Sequence, residues 1–470
     1  MGVQNNTTKK NNERDIALIC LMDIEAGTFM DKALENSLRR IQFSEKRERS
    51  LISRLVKGVT ERRITLDYVI DQFSKTKTAK QKSLIRNALR LGVYQLLFMC
   101  RNDEEKKTEA EDDRSSHKPS ESFFDAARSN GIPASAAVNE TVKLVRKHGF
   151  NSLAGFVNGV LRSIERKKDC IAYPDKSDRI KYLSVMYSTP EWLVKLISDQ
   201  YPDKAEQILS ANLSERRLSV RVNSTMFNRQ ALISELESEG ITAEASTYAE
   251  SALNISDVDF LMRLFSFREG RFTVQDASSQ AAVEAVGIEE DDIVWDICAA
   301  PGGKTTAAAE RVKAGKGHVY SMDLSEDKLP LIEENAERMS LDDRITVLQH
   351  NAAEPYDNDM ERPDVIIADL PCSGLGIMPR KSDIRYRLTP ESMDELTELQ
   401  HAILSNTVPY LKPGGKLMFS TCTINHGENE AGRDYILKSF PELSLVTEHL
   451  FLQGVDACDG FYYSVFVKEK

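Results

Sequence analysis

The hydrophobic period of the chain changes near its middle, and this change restricts the possible folds more than any other feature of the sequence. In the first 170 residues, apolar side chains recur at three- and four-residue spacing, which is typical of amphipathic helices. From Asp292 onward, short runs of Val, Ile, Leu and aromatic residues alternate with helical stretches. Alternating strands and helices favour a parallel sheet covered on both faces. We therefore predict an all-α domain followed by an α/β domain.

Individual elements can be placed within both parts. The predicted helices are marked by the following apolar residues and ranges: Ile16, Ile19, Cys20 and Ile24; Leu51, Leu55 and Val59; Leu84, Ala88 and Leu91; 133–147; and 153–164. The predicted strands of the α/β domain are 293–297, 318–323, 345–349, 365–369 and 416–420.

The segment between the two parts mixes both periods. It combines a helical stretch around Trp192 with strand-like pieces such as LSVRVN at 218–223, which predicts a small α+β module or linker. We place the domains at 10–170, 171–270 and 271–470.

Charge is divided unevenly along the chain, although its formal net value is −11. The first 100 residues hold 19 Lys and Arg against 11 Asp and Glu, a net charge of +8. The segment 101–121 has a net charge of −3 and almost no apolar residues, so we interpret it as a solvated insertion. The segment 171–470 carries a net charge of −20. Affinity for a polyanion is therefore expected in the N-terminal part.

Composition excludes several classes of protein. No apolar stretch approaches the length that spans a membrane, and the N-terminus has no apolar run behind a basic start, so we expect a cytoplasmic protein. The seven cysteines form no CxxC pair and no His/Cys cluster at zinc spacing. We therefore expect neither a disulfide framework nor a bound metal.

A Gly-rich turn follows the first strand of the α/β domain, in DICAAPGGKT. The phosphates of a P-loop and the adenosine end of a nucleotide-like cofactor both fit such a turn. A P-loop requires Gly where Cys298 stands, and Pro301 removes a backbone donor, so the cofactor is favoured. Asp323, 21 residues after Gly302, is placed to bind a ribose diol. Taken singly, Asp296 and Asp323 are also consistent with helix caps.

Two cysteines follow the fourth and fifth predicted strands. Cys372 stands in ADLPCSG and Cys422 in STCT. If these strands are neighbours, about 4.8 Å apart, both thiols open toward the ligand crevice at the carboxyl ends of the strands. A lone cysteine is more often a small buried hydrophobe. Two at matching strand ends, with Asp369 nearby, favour covalent catalysis.

Thiol chemistry of this kind suits a pyrimidine. C5 of cytosine becomes nucleophilic enough to take a methyl group only after a thiolate has added at C6. We expect Lys304 to lower the pKa of the attacking thiol and Asp369 to hydrogen-bond the ring N3 and the exocyclic amine. These considerations leave open which cysteine attacks.

At these residues the sequence resembles the RNA (cytosine-5) methyltransferases of the RsmB/Sun and NOL/NOP group. DICAAPGGKT, ADLPCSGLG and STCT resemble motifs I, IV and VI of that group, and the match covers about 173–470. The resemblance implies an α/β Rossmann-like domain, with Cys422 as nucleophile and Cys372 assisting product release. It also implies S-adenosylmethionine as methyl donor, bound by Cys298, Ala299, Ala300, Pro301, Gly302, Gly303, Lys304, Asp323, Asn351 and Asp369.

Two positions depart from this pattern, and one segment extends it. The group usually has an acidic residue near the adenine where this chain has Asn351, which we expect to make one hydrogen bond there. Pro330 falls in the helix expected after Asp323, whose first turn must accommodate it. The segment 380–387 (RKSDIRYR) resembles a basic stretch that contacts the RNA backbone, although it is also consistent with a solvated loop.

The N-terminal domain resembles NusB, an all-helical RNA-binding factor, through RLGVYQLLF, IPASAAVNETV and FVNGVLR, and the insertion 101–121 interrupts this match. The combined domains resemble the RsmB/Sun family. This implies a monomer that methylates C5 of a 16S ribosomal RNA cytosine, of the cytosine 967 type, in free RNA or a partly assembled small subunit. The alternatives are another rRNA or tRNA site, a non-catalytic NusB-like RNA-binding factor, and a P-loop ATPase using Lys304 and Asp369.

Overall fold

A computed structural model describes residues 12–39, 46–100, 132–214, 217–258 and 260–469. The predicted insertion at 101–121 lies outside these ranges. The chain divides into two compact units. The first comprises the described residues up to Lys195 together with Lys381–Asp383, and the second comprises those of Leu196–Arg380 and Ile384–Lys470.

The first unit is helical, as the apolar spacing predicts. The apolar residues of the predicted helices converge in one core, in which Leu18, Leu55, Leu91 and Val157 are fully buried. Its helices are α1 (Glu13–Glu25), α2 (Met30–Arg39), α3 (Lys46–Glu61), α4 (Arg63–Phe73), α5 (Ser83–Phe98), α6 (Ala134–Lys147), α7 (Asn151–Lys167) and α8 (Arg179–Tyr187). Each predicted N-terminal helix is therefore confirmed.

Close packing and side-chain bonds hold these helices together. A Cβ added to Gly58 of α3 would lie 2.0 Å from the ring of Tyr94 on α5, so only glycine allows this approach. Thr65 Oγ1 of α4 donates to the carbonyl of Val185 on α8, at 2.6 Å. The helical unit thus continues past the domain boundary that we place at 170.

The second unit contains two sheets. The smaller sheet has the order β2-β3-β1-β4, and its described neighbours are antiparallel. Its strand β4 lies beyond the boundary that we place at 270. The elements here are α9 (Glu191–Gln200), which spans the division between the units, α10 (Ala205–Ala211), β1 (Leu218–Val222), α11 (Arg229–Ser238), β2 (Thr242–Ala245), β3 (Ala252–Ser256), α12 (Phe265–Arg268) and β4 (Phe272–Val274).

The larger sheet has seven strands in the order β10-β11-β9-β8-β5-β6-β7. The five predicted strands are parallel, whereas β11 pairs antiparallel with both β9 and β10. The sheet is therefore mixed, which the alternating pattern does not predict. Its elements are α13 (Ala277–Val286), β5 (Ile293–Asp296), α14 (Gly303–Val312), β6 (His318–Asp323), α15 (Leu329–Arg338), β7 (Ile345–Gln349), β8 (Val365–Asp369), α16 (Pro390–Thr407), β9 (Lys416–Thr421), α17 (Glu430–Ser439), β10 (Leu443–Phe451) and β11 (Phe461–Lys468).

Apolar clusters cover both faces of the larger sheet. Along β8, Ile366 and Ala368 belong to one cluster, and Val365 and Ile367 belong to the other, because successive strand residues point to opposite faces. A buried ion pair of 3.1 Å between Arg221 of β1 and Glu310 joins the smaller sheet to α14, a helix that packs on the larger sheet. No described helix combines the length and apolar character needed to cross a membrane.

Candidate active site

The Gly-rich turn lies at the carboxyl end of β5, where the sequence places it. Gly302 has φ +96°, a backbone conformation that favours glycine, and α14 begins at the next residue. A Cβ at Gly302 would lie 3.2 Å from Ile332 of α15. Pro330 stands in the first turn of α15, where proline is tolerated.

Two carboxylates accept hydrogen bonds from residues of this turn and of the helix that follows it. Asp323 Oδ2 accepts from the backbone N–H of Ala300 at 3.1 Å, and its Oδ1 accepts from Ser325 N at 3.0 Å. Asp296 Oδ2 accepts from Thr305 Oγ1 at 2.6 Å, while its buried Oδ1 has no hydrogen-bond partner in the structure. Burial raises the pKa of Asp296 to about 7. The site thus contains a buried carboxylate oxygen that receives no hydrogen bond from the described part of the chain.

We expect Asp296→Asn to stabilise the unliganded protein increasingly as pH rises. The folded pKa of about 7 exceeds the unfolded value of about 3.9. The folded state therefore holds a proton that the unfolded state has lost, and stability falls as pH increases between these values. Asparagine does not titrate, so its advantage should grow by up to about 1.4 kcal/mol per pH unit over this window.

Urea unfolding of both proteins at pH 5, 6, 7 and 8 measures this difference. Asp343→Asn is the matched control. Lys313 lowers the pKa of Asp343, so replacing this carboxylate should not stabilise the protein more as pH rises. A stability difference between Asp296→Asn and the unsubstituted protein that does not change with pH would contradict the expected titration.

Lys304, Asp369 and Ser420 form a connected polar group across three elements. Lys304 Nζ donates to Asp369 Oδ2 at 2.7 Å, and Ser420 Oγ donates to Asp369 Oδ1 at 2.9 Å. The same ammonium lies 5.0 Å from the ring centroid of Phe461. Among the described residues no hydrogen bond joins Lys304 to either cysteine thiol, so its expected effect on the attacking thiol stays a prediction. Its charge orients the carboxylate of Asp369.

Both predicted cysteines meet at one point of the site. Strands β8 and β9 are parallel neighbours, with Asp369 opposite Ser420, and the Sγ atoms of Cys372 and Cys422 lie 3.3 Å apart. The hydrogen bond with Cys422, together with burial, raises the pKa of Cys372 well above its ordinary value. Cys372 is therefore held as a neutral thiol against the sulfur of Cys422. This arrangement agrees with the predicted strand-end positions.

A buried polar network that the sequence analysis missed surrounds the two thiols. Glu428 accepts from the backbone N–H of Ser373 at 2.7 Å and from Ser373 Oγ at 2.5 Å. Asn429 contacts both neighbours of Cys422 in the chain. The signal available in the sequence is the polar run NHGEN directly before a helical stretch, which reads as an ordinary loop.

Other residues of the predicted donor site have partners within the protein. Asn351 Oδ1 accepts from Ala353 N at 3.1 Å, and its Nδ2 donates to Glu354 Oε1 at 3.0 Å, so its side chain holds its own turn. Burial raises the pKa of Cys298, which makes it a neutral side chain. Their contacts with the methyl donor stay predictions.

Two arginines of the basic segment 380–387 bind groups within the protein. Arg380 pairs with Asp459 at 2.6 Å and with Asp276 at 3.1 Å. Arg385 is fully buried and donates to the carbonyl of Asn212 at 3.2 Å. The expectation that the whole segment faces an RNA backbone is therefore wrong for Arg385, whereas contact of Arg380 with RNA stays a prediction.

Three family models match consecutive parts of the chain. Residues 283–464 match 16S rRNA methyltransferase RsmB/F, and residues 189–258 match a ferredoxin-like domain of RsmF/B-like methyltransferases. Residues 11–106 and 123–166 match the NusB family. The helical first unit, the small sheet and the larger sheet thus correspond to three known domains.

Two solved structures share the fold of most or part of this chain. The crystal structure of PH0851 covers 97% of this chain and 99% of its own, with a TM-score of 0.77 and 21% identity. NSun6 from Pyrococcus horikoshii, solved with SFG, covers 60% of this chain and 98% of its own, with a TM-score of 0.54 and 21% identity. At this identity the likeness establishes the fold.

Similar sequences extend over nearly the whole chain. The probable ribosomal RNA small subunit methyltransferase B of Bacillus subtilis (strain 168) is 33% identical over 437 residues, which covers 92% of this chain and 90% of that protein. The ribosomal RNA small subunit methyltransferase B of Salmonella arizonae is 28% identical and covers 98% of this chain and 100% of that protein. The chain therefore belongs to the RsmB/F family of S-adenosylmethionine-dependent 16S rRNA methyltransferases.

Proposed function

We propose that this protein transfers a methyl group from S-adenosylmethionine to C5 of a cytosine in 16S ribosomal RNA, at a site of the cytosine 967 type. The observation that carries the proposal is the contact of 3.3 Å between the Cys372 and Cys422 sulfurs beside Asp369. Methyl transfer to a ring carbon needs a covalent nucleophile and a group that assists elimination. The family relationship supplies the RNA substrate.

The residues of the Gly-rich turn fit the methyl donor. The buried Oδ1 of Asp296, which has no partner among the described residues, is an acceptor suited to a cationic or N–H-bearing ligand. The positive φ of Gly302 forms the tight turn at the carboxyl end of β5 that such a ligand needs. We assign Cys298 to Lys304, Asp323 and Asp369 to this site, with Asn351 at its adenine end. S-adenosylmethionine, when bound, supplies the methyl group as an electrophile.

The protein side chains divide the reaction between them. The sulfur of Cys422 bonds to C6 while its thiol proton passes to N3, which makes C5 nucleophilic. Asp369 accepts from the exocyclic amine and from the N3–H formed in this step, and so orients the cytosine. Lys304 and Ser420 each donate to Asp369 and hold its carboxylate in place. After methylation, a water molecule takes the C5 proton, the C5=C6 bond re-forms, and the C6–S bond breaks with its electron pair on the sulfur of Cys422. The thiol of Cys372, in contact with Cys422 Sγ, assists this elimination.

Incubation with labelled S-adenosylmethionine and unmodified 16S RNA tests the proposal. We expect label on C5 of one cytosine, located by bisulfite sequencing. Label on another atom or on another RNA would show that the proposed target is wrong. No label, together with no calorimetric affinity for S-adenosylmethionine, would favour the non-catalytic RNA-binding alternative. ATP binding at the turn would favour the P-loop alternative.

Asp369→Asn should lower the rate of methyl transfer by about 10²- to 10³-fold. The amide has one acceptor atom where the carboxylate has two, so it cannot accept from Lys304 and Ser420 and also orient the cytosine. Single-turnover methyl transfer at saturating RNA measures the effect. Ser420→Ala is the matched control, because it keeps the carboxylate and should cost less. Equal rates for Asp369→Asn and the unsubstituted protein would refute this role.

A further inference from the structure

Glu428 and Asn429 are adjacent polar residues with fully buried side chains, in the loop between β9 and α17. The proposed chemistry gives neither of them a role. Burial of a carboxylate and an amide is unfavourable unless their hydrogen bonds are satisfied. The partners of these two side chains are therefore informative about what they do.

Asn429 occupies the position just before α17 but does not cap that helix with its side chain. Asparagine at this position normally accepts from an N–H group of the first turn. Instead, Asn429 Oδ1 accepts from Thr421 Oγ1 at 2.5 Å, and its Nδ2 donates to the carbonyl of Thr423 at 3.1 Å. The side chain therefore binds the residues on both sides of Cys422.

Glu428 makes the corresponding contacts with the loop that contains Cys372. Its carboxylate accepts from the backbone N–H and the hydroxyl of Ser373, the residue after Cys372, and also from Asn425 Nδ2 at 3.0 Å. The hydroxyls of Ser373 and Thr423 lie 2.7 Å apart, which joins the two loops. One dipeptide thus holds the backbone beside each thiol.

We propose that Glu428 and Asn429 are positioning residues that keep the two thiols in contact, Asn429 by fixing Cys422 and Glu428 by fixing Cys372. The inference rests on the proposed function for its catalytic consequence, although the positioning itself does not depend on RNA. A displacement of about 1 Å at a reacting group can reduce a rate by about a hundredfold. Disturbing either residue should therefore affect the step that its thiol performs.

The two residues are expected to affect different steps. In Glu428→Gln, the amide presents a donor where the carboxylate accepts from Ser373 and Asn425. This disturbs Cys372, so release should slow by about tenfold or more and covalent protein–RNA adduct should accumulate. Asn429→Ala frees Cys422, so adduct formation itself should slow by a similar factor. Ser373→Ala removes the hydroxyl contact with Glu428, and Thr421→Val removes the hydroxyl contact with Asn429, so these two serve as second, milder variants.

An assay without RNA separates this inference from the proposed function. Diamide converts the two thiols into a Cys372–Cys422 disulfide, while its N=N bond gains the two electrons and two protons that the thiols lose. Peptide mass spectrometry follows formation of this disulfide over time. We expect Glu428→Gln and Asn429→Ala to slow it by about tenfold. Glu430→Gln, a neighbouring acid that faces His426, should stay within about twofold of the unsubstituted protein.

The outcomes are distinguishable. If the unsubstituted protein forms the disulfide rapidly but methylates no RNA, the proposed function fails and the diamide rates still test the positioning. If disulfide formation is equally fast in all variants, the positioning inference is overturned. The inference is also overturned if each substitution slows adduct formation and release by the same factor, and if that factor simply tracks the loss of stability measured by urea unfolding.

Discussion

Replacing Cys422 by alanine should lower methyl transfer to 16S RNA by at least about a thousandfold. Without the thiol no covalent bond forms at C6, and C5 of the unactivated cytosine is too weak a nucleophile to take the methyl group. Binding of S-adenosylmethionine should be retained, because the predicted donor-binding residues belong to other segments. Incorporation of labelled methyl groups and calorimetry with the donor measure the two properties separately.

Cys170→Ala is the matched control for this substitution. Cys170 is an exposed cysteine of the helical unit, and its loss removes one thiol without touching the site. We expect its activity to equal that of the unsubstituted protein. If Cys422→Ala retained activity within about tenfold while Cys170→Ala behaved normally, the nucleophile would have to be another group.

Replacing Cys372 by alanine should instead trap the protein on its RNA. Cys422 can still add to C6 and the methyl group can still be transferred, but the thiol that contacts the leaving sulfur at 3.3 Å is lost. Elimination then becomes the slow step, and turnover should fall by about a hundredfold. A denaturing gel that resolves the covalent protein–RNA complex, run beside multiple-turnover kinetics, measures both effects.

The two cysteine variants together assign the roles. A covalent complex in Cys372→Ala and none in Cys422→Ala is the expected pair of results. The reverse pair would make Cys372 the nucleophile. The double substitution should form no adduct, because release matters only after the bond to C6 exists.

The positions of the two thiols could be predicted because they depend on local sequence. Short apolar runs identify β8 and β9, and parallel neighbours bring their carboxyl ends to one edge of the sheet. Cys372 and Cys422 therefore meet although they lie 50 residues apart in the chain. The helical unit was equally predictable, because its apolar spacing is regular over several turns.

Features that depend on distant partners could not be predicted in this way. Lys304 carries a charge whose partner is set by the packing of α14 against β8, and that partner is Asp369. Arg385 belongs to a basic run, but its side chain is fully buried. The antiparallel strand β11 lies between β10 and β9 in the sheet, a position that the alternation of strands and helices does not indicate. In each case tertiary contacts determine the position or partner of the residue or strand, and the local sequence does not indicate these contacts.

The central claim is that Cys422 forms the bond to C6 of the target cytosine. A 16S RNA fragment with 5-fluorocytidine at the target position tests it directly. Fluorine replaces the C5 proton whose loss drives elimination, so the C6–S bond cannot break and the methylated adduct persists. After incubation with S-adenosylmethionine, mass spectrometry of the digested complex should identify a methylated nucleotide bonded to the peptide that contains Cys422. A nucleotide bonded to Cys372, or the absence of any covalent complex, would contradict the proposed mechanism.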